Sequence, residues 1–368
     1  MKKVEINKSD LEKNIEIIKK IANTDNEKKT EIIAVVKANG MGLGLVEYSK
    51  FLINNGINIL AVAVTEEAIA LRKANIENDI LMLSPVIEKK ELQLLIENDI
   101  TLTIGSLEEA KLVEALSKHL QKDTKVHIKI DTGFARYGFL YNDLENILSI
   151  FEEFSKIKIE GIYTHFSKPE DEKWTRCQFD RFIMCIESIK KAGFEIKKAH
   201  TSASTAFIKY PEMALDAVRI GSIFQGRTMS KVEGLTKIGT FKTQIVEIKN
   251  LPKGYNISYG KTYKTKRETK IAIIPVGYMD GFNKGRFRDD YSLKNNLIAV
   301  GMEIKRIFKD NSLKVIINGK KYKVIGKLGM YHAIIDITDS KDINTKDEVL
   351  IPSIAPLQVN NEIRREYI

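Results

Sequence analysis

Residues 31–38 read EIIAVVKA, an apolar run that closes on Lys37. Five consecutive apolar residues, Ile32 to Val36, leave no polar face, which is the pattern of a strand covered on both sides, as in a parallel sheet. Comparable runs recur through the first 225 residues: NILAVAV (58–64), DILML (79–83), TLTI (101–104), KVHIKI (125–130), IEGIYTH (159–165), KKAH (197–200) and ALDAVRI (214–220). Amphipathic helical stretches lie between most of them. One is VEYSKFLINN (46–55), stopped by Gly56; another is TEEAIALRKA (65–74). The clearest is SLEEAKLVEALSKHL (106–120), where Ser106 and Glu109 form a capping box. A leading helix is expected from a second box, Ser9 and Glu12, with Leu11, Ile15, Ile18 and Ala22 on its apolar face. Eight strands alternating with helices predict an α/β architecture, a (β/α)8 TIM-type barrel over residues 8–230.

Beyond residue 230 the rhythm changes to strand after strand: FKTQIVEIKN (241–250), KIAIIPV (270–276), IAVGMEIKRIF (298–308) and KVIINGKKYKVIG (314–326). Asn318-Gly319 between two alternating runs signals a two-residue hairpin. A C-terminal all-β domain over 231–368 is the expectation. With no Pro/Gly/Ser-rich linker, the two domains are expected to join tightly.

The 368 residues carry a net charge of +10, with 43% hydrophobic and 29% charged residues. That describes a globular protein large enough to fold without disulfides or metal. The lysines are scattered among acids, so the charge argues against nucleic acid and for attraction of a phosphorylated small molecule. Cys177 and Cys185, the two cysteines, fall on one helical stretch. Eight residues of helix separate them by about 12 Å, too far for a disulfide. No signal peptide or long apolar run is read, which makes a cytoplasmic protein without a membrane partner the expectation.

In a barrel of this type active-site groups gather at the carboxyl ends of the strands. Lys37 ends the first strand. Lys129 and Arg136 end and follow the fifth, His165 ends the sixth, Ser204 follows the seventh, and Arg219 ends the eighth. A lysine closing a buried strand is either a nucleophile with a lowered pKa or a side chain snorkelling to solvent. Gly40, Gly42 and Gly44 make a weak phosphate-loop signal. Ser204, Gly221 and Ser222 offer the commoner barrel site, after the seventh and eighth strands.

AVVKANGMGLG (34–44) resembles the cofactor-lysine motif of the alanine racemases. HIKIDTGFARYGF (127–139), GIYTHFS (161–167), VRIGSIFQG (218–226), ISYGKTY (257–263) and PVGYMDGF (275–282) are similar to further blocks of that family, in the same order. The likeness runs from EINKSDLEKNI to EIRREYI. It implies a pyridoxal 5′-phosphate (PLP) barrel followed by a β-domain, with the N-terminal strand 1–7 packing on the latter. It further implies an amino-acid racemase working as a homodimer on a small amino acid. By the same resemblance Lys37 carries the cofactor and is one catalytic base. Tyr259, from the second subunit, is the other. Arg219 faces the pyridine nitrogen and His165 lies beside the ring. Arg136, Met330 and Tyr278 serve the substrate, Lys129 is a position the family often carbamylates, and no metal is implied.

Several positions depart from the family pattern. Met41, Ala203 and Tyr331 stand where a tyrosine, an asparagine and an aspartate are usual, and Ile220 replaces the proline after Arg219. Asn361 falls where a phosphate-binding tyrosine sits, as it often does in the serine-handling branch. Alanine is the expected substrate, with serine or a larger amino acid as the alternative. A PLP decarboxylase of basic amino acids, a PLP-binding protein without catalysis, and a sensory protein that has lost activity are the competing readings.

Overall fold

The computed structural model describes residues 2–23, 30–285, 292–307 and 312–368. The chain forms two compact units. One is Lys8–Ile238; the other joins Met1–Asn7 to Gly239–Ile368.

In chain order the strands of the first part are β1 (Lys3–Ile6), β2 (Glu31–Val35), β3 (Ile59–Val62), β4 (Asp79–Met82), β5 (Leu102–Ile104), β6 (Thr124–Asp131), β7 (Phe139–Leu140), β8 (Ile157–Tyr163), β9 (Ala199–Ala203) and β10 (Ala217–Ile220). The helices are α1 (Lys8–Ala22), α2 (Lys37–Met41), α3 (Leu45–Asn54), α4 (Thr65–Lys73), α5 (Lys89–Glu97), α6 (Leu107–His119), α7 (Leu144–Glu152), α8 (Glu172–Lys191) and α9 (Ser204–Lys209). Eight of these strands run parallel in the order β4-β3-β2-β10-β9-β8-β6-β5. The barrel closes between its outer strands through a parallel bridge, Leu81 to Thr101. There Met82 N donates to Thr101 O (2.8 Å) and Thr101 N to Ile80 O (2.9 Å). Ile33, Ile59, Ala61, Leu81 and Ala217 fill part of the interior.

The expected strands and helices appear with corrected ends. β2 stops at Val35, so Lys37 sits two residues past the strand rather than on it. His165 likewise follows β8 by two residues, whereas Lys129 and Arg219 lie within β6 and β10. α1 begins at Lys8, which puts Ser9 inside the first turn instead of at the cap. Ser106 does cap α6, accepting from Glu109 N (3.2 Å), and Glu109 reaches back to Gly105 N (2.6 Å). Cys177 and Cys185 are both on α8 and both free.

The other unit holds β11 (Thr240–Gln244), β12 (Glu247–Leu251), β13 (Asn256–Ile257), β14 (Tyr263–Lys264), β15 (Thr269–Ile274), β16 (Lys314–Ile317), β17 (Lys320–Ile325), β18 (Ala333–Asp336), β19 (Glu348–Ile351), β20 (Arg364–Tyr367) and, among the described residues, one α-helix, α10 (Leu293–Ile307). Nine strands form one sheet in the order β12-β15-β18-β17-β16-β19-β11-β1-β20. β1 pairs antiparallel with β11 and parallel with β20. Asn318 and Gly319 make the β16–β17 turn with φ of 48° and 75°, the two positive values that a type I′ hairpin requires. Two expectations need correction. FKTQIVEIKN is two strands, interrupted at Ile245–Val246. IAVGMEIKRIF is helical through Ile307, with Phe308 outside the described residues. Its β-branched residues mimic a strand, but Leu293, Leu297, Val300 and Ile304 repeat at helical spacing.

Asn14 on α1 ties the end of the barrel unit together. Its side chain donates to Phe224 O (2.9 Å) and Thr236 O (2.7 Å) and accepts from Thr236 N (2.9 Å). The sequence's change of rhythm near 230 falls in the segment this side chain holds. Asn14→Leu keeps the volume but leaves Phe224 O, Thr236 O and Thr236 N without their side-chain partner. It should lower the unfolding free energy of the barrel by about 2–3 kcal/mol, read as a fall in urea midpoint at unchanged m-value.

Candidate active site

A cleft of about 340 Å³ opens at the carboxyl ends of the barrel strands, within the range of small-ligand sites. Lys37, Lys129, Arg136 and Arg219 line it together with Tyr163, His165, Ser204, Gly221 and Ser222. No Asp or Glu is among the lining residues. Four cationic side chains without a carboxylate make a site for an anion. A recess of about 420 Å³ at the opposite end of the strands is lined by charges already in use. There Lys198 pairs with Glu31 (2.5 Å) and Asp216 accepts from Ala199 N (2.8 Å).

Lys37 is presented by an unusual piece of backbone. Ala38, Asn39 and Gly40 have φ near 55–63° and ψ of 39–56°, and Met41 continues at φ 54°. This is a turn of left-handed helix, which costs roughly 1–2 kcal/mol for each residue bearing a Cβ. Hydrogen bonds hold it in place. Gly40 N donates to Val36 O (2.8 Å), Asn39 N to Glu67 Oε1 (3.1 Å), Leu45 N to Asn39 Oδ1 (2.9 Å) and Gln225 Nε2 to Met41 O (2.8 Å). The glycines of the suspected phosphate loop therefore serve this turn: Gly40, Gly42 and Gly44 all have positive φ. Lys37 reaches open space in the cleft, yet the wall strips part of the water from its amine. Burial, helped by the Arg136 charge and opposed by Glu67, lowers its pKa below the usual lysine value of 10.5. A larger share of neutral amine makes it a better nucleophile.

Arg219 is 3% exposed at the centre of the barrel. Its Nη1 donates to His200 Nδ1 (2.6 Å); Nη2 donates to Thr164 O (2.7 Å), Thr201 O (2.8 Å) and His165 Nδ1 (3.2 Å). Among the described residues Nε has no partner, and the cleft is beside it. Desolvation pulls the pKa of Arg219 down to about 10, which still leaves a cation at neutral pH. Lys129, 4% exposed, has its Nζ 4.4 Å from the Tyr163 ring centroid and makes no ion pair among the described residues. Burial and the charges of Arg219 and Arg136 hold its pKa well below 10.5. The Arg136 guanidinium lies 4.2 Å from the Phe134 ring centroid, and that ring meets His165 edge-on at 5.5 Å. Ser204 opens α9, and its Oγ accepts from Gly221 N (3.3 Å).

The structure thus brings Lys37, Lys129, Arg136, His165, Ser204, Arg219, Gly221 and Ser222 to one cleft. Tyr259, Tyr278, Met330 and Asn361 lie in the β unit. Tyr259 is 65% exposed on a tight turn between β13 and β14, where Ser258 (φ 65°) and Lys261 (φ 51°) have left-handed φ. The Ser258 hydroxyl donates to Lys327 O. Tyr278 N donates to Gly329 O and Met279 N to Met330 O, both at 3.1 Å, so the tyrosine loop is laced to Met330. Asn361 is exposed near the C-terminus, its carbonyl accepting from Arg365 Nη1 (2.9 Å).

Sequence reasoning missed Tyr163, His200 and His127, which surround Arg219 from inside the barrel. Tyr163 stacks on His200 with ring centroids 4.8 Å apart and planes 3° from parallel. Its hydroxyl bonds Thr103 Oγ1 (2.9 Å). The signal was available, since KVHIKI and KKAH each put a histidine in a buried strand, where an imidazole needs partners.

Comparison with known proteins adds an independent line. The family model described as alanine racemase, N-terminal domain matches residues 6–228, and that for the alanine racemase C-terminal domain matches 238–364. The alanine racemase of Methanococcus maripaludis is 36% identical over 356 residues, covering 94% of this chain and 87% of that protein. The alanine racemase of Clostridium novyi is 34% identical over 357 residues, covering 94% and 84%. Among solved structures, alanine racemase of Clostridium difficile 630 superposes with a TM-score of 0.87 at 28% identity, covering 100% of this chain and 95% of that one.

The buried imidazoles set an acid limit on stability. Burial lowers the pKa of His127 from 6.5 to about 3, and that of His200 well below 6.5. Below pH 6.5 the unfolded chain binds protons that the folded barrel refuses, so stability present above that pH is lost on acidification. His127 and His200 together contribute a slope of roughly 2.7 kcal/mol per pH unit near pH 5, and His165, whose pKa burial also holds well below 6.5, adds to it. Urea unfolding of the barrel at pH 7, 6 and 5 measures it; stability that stays flat from pH 6 to 5 would contradict neutral histidines at these positions.

Proposed function

The chain belongs to the alanine racemase family, and from this premise we propose that it interconverts L- and D-alanine with PLP held at Lys37. The observation that carries the reading is the acid-free cleft in which Lys37 and Arg219 stand together. Its residues suit the group: a lysine amine whose pKa burial lowers, an Arg219 Nε without a partner among the described residues, and Ser204, Gly221 and Ser222 lining the phosphate end. When bound, PLP supplies an electron sink for the pair left by the broken Cα–H bond.

The protein's own groups do the rest. Racemisation needs one base on each face of the substrate carbon, one taking the proton and the other returning it. Lys37 serves one face. Tyr259, contributed by a second copy in a cytoplasmic homodimer, serves the other; its exposure on the rigid turn before β14 supports that assignment. Arg136 binds the substrate carboxylate, with Met330 and Tyr278 completing the pocket from the second copy. Lys129 carries a carbamate that steadies Arg136; its amine is buried and makes no ion pair among the described residues. His165 would flank the ring of the bound group, and Asn361 would serve its phosphate. Arg219 keeps its proton at neutral pH, so it orients a ring nitrogen without protonating it. A decarboxylase of this fold would place a carboxylate there.

The reading is tested by incubating the protein with L- or D-alanine in deuterated water. Expected are exchange of the α-proton, formation of the other enantiomer, and the visible absorbance of bound PLP. Lys37→Ala should lose all three. Tyr259→Phe should lower interconversion by roughly 10²–10⁴ while leaving the absorbance in place. Arg219→Glu should gain transamination as a side reaction. Exchange with serine but not alanine would reassign the substrate, release of CO₂ would favour a decarboxylase, and no exchange with any amino acid would remove the enzymatic reading.

A further inference from the structure

Beneath Arg219 a chain of hydrogen bonds continues into the barrel. His200 Nδ1 meets the guanidinium at 2.6 Å, and His200 Nε2 meets His127 Nδ1 at 2.8 Å. An imidazole–imidazole hydrogen bond can run either way, but here one end decides it. A guanidinium has donors only, so His200 Nδ1 must offer a lone pair and its single proton must be on Nε2. His127 Nδ1 must then accept, which puts its proton on Nε2, toward the amino-terminal end of the barrel. Both rings are buried, His127 to 6% and His200 to 0% exposure. Neither tautomer can be exchanged for the other without breaking a bond in a dry interior.

The backbone makes room for this arrangement. β6 and β8 pair in register up to Val126 and Ile159, then slip by one residue so that His127 stands opposite Gly161. A Cβ at Gly161 would lie 2.7 Å from His127 Cε1 and 2.8 Å from His127 Nδ1. A β-bulge and a missing side chain at one point in a buried strand pair mark a ring whose place is fixed.

We propose that His127 is a positioning residue for Arg219: it locks the tautomer of His200, which holds the guanidinium so that Nε faces the cleft. Gly161 admits the ring that does this. The inference rests on the racemase reading, in which Arg219 faces the pyridine nitrogen. It goes beyond that reading by giving function to a residue that touches neither cofactor nor substrate.

The test begins with the unloaded protein, ¹⁵N-labelled at histidine. His200 should show an unprotonated Nδ1 and a protonated Nε2, coupled through the hydrogen bond to His127 Nδ1. The protein loaded with PLP is then compared with three variants. His127→Leu cannot accept from His200. His127→Asn can, because its Oδ1 falls near the place of Nδ1. Gly161→Ala removes no polar group and displaces the ring. His127→Leu and Gly161→Ala should lower kcat roughly ten- to hundredfold with little change in KM, shift the visible absorbance of bound PLP, and blur the His200 tautomer signals. His127→Asn should restore most of the activity and the absorbance. The proposal is overturned if wild-type His200 is protonated on Nδ1. It also falls if the three variants lose thermal stability alike while the PLP absorbance and kcat of the folded fraction stay at wild-type values. A tautomer lock that disappears in His127→Leu, in a protein that racemises nothing, would instead sink the racemase reading and leave the lock standing.

Discussion

Taking a guanidinium out of water costs several kcal/mol unless its N–H groups find acceptors. Arg219 sits inside the barrel with two imidazoles and two strand-end carbonyls arranged around it. Those acceptors come from β9 and the two residues just after β8, so the charge on β10 can be buried only once the three neighbouring strands are in register. Tyr163 adds a flat face, with the guanidinium carbon 5.0 Å from the ring centroid. The same arrangement leaves the Nε–H without a partner among the described residues. A cation held by neutral acceptors keeps its charge and presents its remaining donor to whatever occupies the cleft.

Lys37 depends on a second constraint, one of backbone strain. A left-handed turn through Ala38 and Asn39 is unfavourable for L-residues, and short-range hydrogen bonds alone would not select it. The Glu67 carboxylate at Asn39 N and the Gln225 amide at Met41 O anchor it from two other parts of the barrel. The result is a lysine set two residues beyond its strand, aimed across the mouth. Strain and the buried charge thus meet in one cleft, each maintained by the packed barrel around it.

Much of this was legible in the sequence. Continuous apolar runs marked the first barrel strands, such as Ile32–Val36 and Ile59–Val64, since both faces of a parallel sheet are covered. The ends of the expected strands located Lys37, Arg219 and His165 within two residues of where they stand. The left-handed turn was not legible, because its glycines fit a phosphate loop equally well and Ala38, Asn39 and Met41 gave no warning. Nor was the helix at 293–307, where isoleucine and valine outvoted a weak helical period. His127 and His200 went unread because a histidine in a strand shows no partner until register is known, and the bulge at Val126 sets that register.

Of the departures from the family pattern, Ile220 is buried in β10 beside Arg219, whereas the others lie on the cleft wall or the surface. Met41 and Ala203 line the open cleft, Asn361 is exposed, and Tyr331 lies 51% exposed with the Lys2 ammonium 5.2 Å from its ring centroid. By contrast, the groups that accept hydrogen bonds from the Arg219 guanidinium are backbone carbonyls and imidazoles of the barrel unit. Substituting a wall residue alters volume and hydrogen bonding for the ligand, an effect worth roughly 1–3 kcal/mol for a methylene-sized change. Substituting a partner of the guanidinium strands a charge in a medium that cannot solvate it, which costs about 3–5 kcal/mol and the fold with it. Physical cost therefore keeps the proton chemistry fixed while the cleft wall can vary, so differences among such proteins should lie in which amino acid they take and not in how its α-proton is moved.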